Sequence, residues 1–182
     1  MDESVFKIRL LGDTILRKKS KSIKHITSAH RDILSKMART LYAASGVGLA
    51  APQVGINEAM IIVDIGSGLY KLINPKIVKR EGFQVMEEGC LSMPRICIKV
   101  RRAKKILVKA QDENARHVSI EAEDLLACVL QHEIDHLKGK LIVDYASFWD
   151  MFKLRNKLRE FKKRSEYEKL SESETKSCKL QL

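Results

Sequence analysis

The chain has 182 residues, enough for one domain with a substantial core and too few to make two domains the first expectation. At 45% hydrophobic and 31% charged it groups with soluble globular proteins rather than disordered or fibrous ones, and no apolar run approaches the ~20 residues of a membrane span. Lys and Arg number 34 against 23 acids, a formal charge of +11; that excess fits an anionic neighbour such as nucleic acid, and fits plain solubility as well.

From the N-terminus, Asp2 and Glu3 ahead of Val5 and Phe6 do not read as the basic start and apolar centre of a signal peptide. Ser28 to Ala44 places Ile33, Leu34, Met37, Ala38 and Leu41 at helical spacing, an amphipathic helix ending before Gly46. Residues Gly46 to Gly55 read as a Gly-rich loop between helix and strand. Strand-like runs rich in Ile and Val follow at Ala59 to Ile65, Tyr70 to Ile73, Ile96 to Val100, Ile106 to Ala110 and Val118 to Ala122. Between the last two, Asp112-Glu113-Asn114 has the composition of a hairpin turn.

Residues Glu123 to Lys138 return to helical period, apolar on most sides, which predicts a buried central helix rather than a surface one. Beyond it, Phe148, Met151, Phe152, Leu154, Leu158 and Phe161 among many charges predict an amphipathic C-terminal helix fading into a polar tail. The expected fold class is α+β: antiparallel or mixed sheets packed around the buried helix, with N-terminal and C-terminal helices. One catalytic domain over 1–165, its last helix starting near 147, and a flexible tail over 166–182 are expected. No internal repeat is evident, and three prolines mark no linker.

The sharpest local feature is His132-Glu133-Ile134-Asp135-His136. Residues four apart sit one above the other on a helix, so two imidazoles can grip one metal while Glu133 faces the same cavity as a base. At this composition a His-acid-x-x-His match arises by chance about 0.02 times per chain. Its bland alternative is a pair of satisfied core histidines.

Catalytic sites of the zinc type normally have three protein ligands and one open position. No histidine follows His136, and the acids downstream are Asp144, Asp150 and those of the tail. Upstream, Glu88-Gly89-Cys90-Leu91-Ser92 offers a thiol in a turn-prone setting. Alone, Cys90 would pass for a small buried hydrophobe; beside an incomplete metal pair it is the leading third ligand. None of Cys90, Cys97, Cys128 and Cys178 belongs to the framework of a secreted mini-protein, so a cytoplasmic location with reduced thiols is expected.

A third stretch, Gly46-Val47-Gly48-Leu49-Ala50-Ala51-Pro52-Gln53, is no phosphate loop, since no Gly-Lys-Ser/Thr follows. Together the three stretches resemble the signature motifs of the peptide deformylase family, bacterial type with a C-terminal helix. Gly46, Gly48, Ala50, Ala51 and Gln53 match the first motif, Glu88 to Ser92 the second, and Gln131 to Leu137 with Gly139 the third. The likeness runs on through Leu72 to Pro75 and Lys140 to Asp144, over roughly residues 5 to 165.

That resemblance implies a metal-dependent hydrolase removing the formyl group from the N-terminal formylmethionine of newly made polypeptides, with release of formate. It implies Cys90, His132 and His136 as metal ligands and Glu133 as the general base. The Gln53 amide and the Leu91 backbone N–H become donors to the developing oxyanion. It also implies one Fe(II) per chain, replaceable by zinc, nickel or cobalt, whereas the ligand set and hydrolysis alone would suggest zinc. Leu125, Cys128 and Val129 would line the methionine slot, closed by Val47 and Met86. Backbone groups of Val47, Gly48 and Gly89 would hold the peptide as an added strand. Arg95 to Lys99 departs from many relatives, with Cys97 where some carry arginine.

From Met151 to Leu170, eight basic residues stand against Glu160, Glu166 and Glu168. Either this is a solvated helix face, or it docks on ribosomal RNA as in similar bacterial enzymes. A monomer acting on nascent chains, with no DNA or membrane partner, is expected. Two alternatives stand beside this reading: a zinc endopeptidase of the H-E-x-x-H type, which has no need of Cys90, and a non-catalytic ribosome-binding homologue.

Overall fold

The computed structural model describes residues 4–147 together with Trp149, Met151, Phe152 and Leu154. Helix α1 spans Ser28–Ala43. Its first turn is closed by His30, whose Nδ1 accepts the Thr27 backbone N–H at 3.0 Å, filling one of the places a helix start leaves open. Leu34, Met37, Ala38 and Leu41 form the buried face, as the periodicity predicts.

After α1 the expected loop is a strand and a turn. Strand β1 covers Gly48–Ala50 and a 3₁₀ turn covers Ala51–Val54, ended by Gly55 at φ 87°. Three residues are too few to show a period, so the strand exists only through its pairing with β2, Met60–Val63. All four residues of β2 are buried, and their alternation sends them to opposite sides. Ile61 and Val63 join the core around the second helix, whereas Met60 and Ile62 join that of α1. The sheet is therefore sandwiched between two helices at this strand.

Strands β3 (Tyr70–Glu81), β6 (Lys105–Gln111) and β7 (His117–Glu123) complete a five-stranded sheet of order β1-β2-β3-β6-β7. The sequence suggests that β3 stops at Ile73, before Asn74-Pro75. The strand instead shifts register between Ile73 and Lys76 and continues. Asn74 takes φ 53° there, and its side-chain amide both accepts from Ile23 N–H (2.9 Å) and donates to Ile23 C=O (2.7 Å), satisfying a backbone pair outside the sheet. The Asp112–Asn114 turn joins β6 to β7 as predicted, with Asp112 Oδ1 accepting from Asn114 and Arg116.

A second sheet pairs β4 (Gln84–Cys90) with β5 (Met93–Arg102). The sequence gives no sign of β4, whose acids and glycine are poor strand formers, and Cys90 closes this strand rather than sitting in a free turn. Every ladder among the described residues is antiparallel; the isolated Lys21–Glu58 bridge is parallel.

Helix α2, Asp124–His136, is buried from Ala127 through Ile134 and again at His136. Gln131 clamps it to the turn after β5, accepting from Ala103 N–H (3.0 Å) and donating to Ala103 C=O (2.9 Å). Just past the helix, Gly139 stands at φ 72°, where a Cβ would run into the carbonyl of Arg17. Trp149, Met151, Phe152 and Leu154 are helical, at the place predicted for the C-terminal helix. The other residues of that helix and the tail over 166–182 lie outside the described residues. No described helix is long and apolar enough to cross a membrane.

Candidate metal centre

Three side chains from two elements converge on one buried point. Cys90 is the last residue of β4, and His132 and His136 stand one turn apart on α2. The His132 and His136 Nε2 atoms are 3.2 Å apart, and Cys90 Sγ is 3.3 Å from His136 Nε2. The three side chains are buried, their ligand atoms all within 4.8 Å of one another. Donors held 2.0–2.3 Å from a tetrahedral ion lie about 3.3–3.7 Å apart, so the cluster is close to the spacing that an ion requires.

The protonation pattern fits a metal as well. His132 Nδ1 lies 2.9 Å from Glu88 Oε2, and a carboxylate there demands the proton on Nδ1, leaving the Nε2 lone pair for the cluster. Burial and the neighbouring His132 hold His136 well below its ordinary value, favouring the neutral imidazole that binds metals. Burial pushes the Cys90 thiol up, while the backbone N–H groups of Ser92 and Met93 act in the opposite direction, as donors to a thiolate. The donor set of one sulfur and two imidazoles therefore suits a borderline-soft divalent ion.

Glu133 is fully buried, and neither carboxylate oxygen has a hydrogen-bond partner. Burial, reinforced by the charge of Glu88, pushes its carboxyl well above the usual carboxylate range. Such a group is stronger as a base and is costly to bury unless something occupies the space beside it. Gly48 of β1 packs directly against it, for a Cβ on Gly48 would collide with Glu133 Oε1 and with Val129.

Gln53 is oriented by its own 3₁₀ turn. Its Oε1 accepts the Ala50 N–H at 2.7 Å, so the NH₂ must point the other way, 3.6 Å from Cys90 Sγ and 3.3 Å from Ser92 Oγ. Leu91 follows Cys90 and is buried, its side chain in the α1 core. Val47, Met86 and Leu125 are partly buried and packed against the cluster containing Cys128 and Val129. Gly89 is buried in β4 next to Cys90.

The motifs do not foretell the outer network. Glu88 is fully buried, receives Arg102 Nε at 2.7 Å and Nη2 at 2.9 Å, and is met by Cys128 Sγ at 3.2 Å. Burial alone would raise its carboxyl; the donors from Arg102 and His132 outweigh it and hold the group down at about 2. Arg102 continues to Asp135 (2.5 Å), which also accepts from the Tyr145 hydroxyl (2.6 Å). Arg102 sits 30 residues before His132 with no local pattern to flag it; its single signal is a cation at the end of an otherwise alternating strand. Cys90 and Cys128 are free thiols.

A family model described as Polypeptide deformylase matches residues 5–151. The chain belongs to the polypeptide deformylase family. It is 52% identical over 143 residues to the peptide deformylase of Syntrophomonas wolfei, covering 79% of this chain and 94% of that one. Among solved structures, the peptide deformylase of Legionella pneumophila matches with TM-score 0.83 at 39% identity, over 91% of this chain and 99% of the other. That of Thermotoga maritima matches with TM-score 0.77 at 42% identity, over 79% and 98%. Membership in a deformylase family sets aside the endopeptidase reading, and the presence of Cys90, both histidines and Glu133 in one cluster gives no support to a non-catalytic homologue.

Proposed function

We infer that this chain is a peptide deformylase that hydrolyses the formyl group from the N-terminal formylmethionine of nascent peptides, with Cys90, His132 and His136 holding one divalent ion. The observation that carries this reading is the convergence of those three ligand atoms beside an unpartnered, buried Glu133. A bound divalent ion supplies Lewis acidity, which makes a hydroxide nucleophile available near neutral pH. Glu133 takes the nucleophile's proton on a carboxylate oxygen and returns it to the departing amine, a transfer that its raised proton affinity favours. The Gln53 Nε2–H group, aimed at the cavity by the Ala50 contact, and the Leu91 backbone N–H stabilise charge on the formyl oxygen.

Among the described residues, strand β1 has a sheet partner on one side only, β2. Val47 and Gly48 can pair on its other edge with an extended peptide while Gly89 takes the opposite flank. Backbone recognition of this kind reads few side chains, as an enzyme acting on many nascent chains needs. The methionine side chain fills the space bounded by Val47, Met86, Leu125, Cys128 and Val129. Fe(II) is the expected native ion, with zinc the fallback; iron stands low in the affinity order, so its occupancy reflects supply. The cytoplasm, where formylated chains emerge, is the proposed location, and a monomer the proposed state.

Formate release from a formyl-Met peptide by anaerobically purified protein tests the reading, with metal analysis of the same sample. Wild type should release formate, and Glu133→Ala should lose activity by about 10²–10⁴-fold while keeping its metal. Metal-loaded wild type that released no formate would refute it.

A further inference from the structure

Glu88 is wholly buried, and an ionised carboxylate offers about four lone-pair positions. The structure fills all four. Oε1 receives Arg102 Nε (2.7 Å) and Cys128 Sγ (3.2 Å); Oε2 receives Arg102 Nη2 (2.9 Å) and His132 Nδ1 (2.9 Å). Cys128 lies four residues before His132 on α2, so both side chains reach Glu88 from one helix face. We propose that Cys128 is a positioning residue of the metal centre: its S–H pins Oε1 of Glu88, so that Oε2 faces His132 Nδ1–H and keeps the His132 Nε2 lone pair on the metal position. The proposal rests on the metal-site reading above and gives Cys128 a role beyond lining the methionine slot.

A wall residue needs only volume, and its neighbour Val129 supplies that with no polar atom. A sulfur 3.2 Å from a buried carboxylate oxygen is different, because an unprotonated sulfur there would meet like charge. Burial and the charge of Glu88 both push the thiol up, so the sulfur keeps its proton and donates it. Arg102 alone cannot fix the carboxylate as firmly, since a single bidentate partner leaves the group free to rock about the shared axis. The fourth donor, rigid on α2, removes that freedom and couples the carboxylate to the helix that carries both histidines. Partners of metal-bound histidines typically change metal affinity by 10–100-fold when removed, and a thiol, being a weak donor, belongs at the lower end.

Two measurements test this on the full, metal-loaded chain. In infrared spectra, the S–H stretch assigned to Cys128 by its loss in Cys128→Val should lie below the frequency of an unbonded buried thiol. A band at the unbonded frequency overturns the proposal without any appeal to activity. Metal dissociation constants from chelator competition, using zinc, should be about 10-fold weaker in Cys128→Val and Cys128→Ala, with Cys128→Ser close to wild type because it restores a donor. Wild-type affinity in Val and Ala alike overturns it, as does equal loss in Ser. A purely lining role would instead move KM for formyl-Met against formyl-norleucine peptides and leave metal affinity unchanged. Should Cys128→Val not fold, loss of the band in Cys128→Ala assigns it instead, and the Ala and Ser pair still decides. Formate release by wild type, read in parallel, separates failure of the deformylase reading from failure of this one.

Discussion

Arg102 is 5% exposed and stands between two carboxylates, Glu88 and Asp135, with Tyr145 stacked 4.7 Å from the guanidinium. Its removal leaves Glu88 buried with an uncompensated charge, the situation in which breaking a buried pair costs about 3–5 kcal/mol. Arg102→Leu should therefore unfold at markedly lower denaturant than wild type near neutral pH. The sign of the pH dependence follows from Glu88. Its folded-state value is depressed to about 2 from the ordinary 4.5, so this contribution is fully present above pH 4.5 and is lost as pH falls towards 2. In Arg102→Leu the carboxyl loses its strongest donor, takes up its proton at higher pH, and the neutral acid no longer suffers the burial cost. The stability gap between wild type and variant should narrow as pH falls towards 2 and should widen as pH rises through the variant's own higher titration. Denaturant titrations at several pH values check this, and a gap independent of pH would show that Arg102 acts through packing alone.

At the scale of elements, what the sequence shows and what it hides divide by range. The period of α1, the apolar wrap of α2 and the His132–His136 spacing are local patterns, and the structure keeps each of them. Strand β1 is three residues long and β4 carries Glu87, Glu88 and Gly89, so both depend on a partner far along the chain. Asn74-Pro75 imitates a strand end because proline removes a ladder donor; the register shift absorbs that loss. Likewise the motif supplies Cys90 and Glu133, but the pairing of Glu88 with Arg102 and Cys128 exists only once the two sheets enclose α2. Gly139 is a case where the motif names a residue and the structure gives the reason. It and Gly66 both have positive φ, 72° and 95°, yet a Cβ at Gly66 meets nothing within 4 Å, whereas at Gly139 it strikes the Arg17 backbone. Backbone strain of this kind costs about 1–3 kcal/mol. Gly66→Ala should thus lose about that much stability, and Gly139→Ala clearly more, because there the segment at Arg17 must in addition move away from the end of α2. Equal melting temperatures for the two variants would refute the steric argument.

For the whole molecule, the net charge of +11 calls for a physical destination. We propose that the basic run from Lys153 to Lys169 docks on ribosomal RNA, bringing the enzyme to nascent chains; these residues, apart from Leu154, lie outside the described ones, and the proposal rests on their sequence alone. The described fold also carries a second basic face. Exposed Lys18 and Lys19 lie on the segment whose Ser20 N–H donates to Leu137 C=O at 2.8 Å, beside exposed Lys138 and Lys140 at the end of α2. The two faces make separable predictions in the full chain. Replacing Lys162, Lys163 and Arg164 by Glu should weaken ribosome binding and flatten its salt dependence by about one log unit per lost phosphate contact. The same charge reversal at Lys18, Lys19 and Lys138 should leave binding close to wild type. Co-sedimentation with ribosomes over a salt series reads both. A chain ending at Ser147 that bound as well as the full chain would remove the C-terminal helix from the contact altogether, and loss of binding in the Lys18, Lys19 and Lys138 variant would then place the contact at the end of α2, directly behind His136.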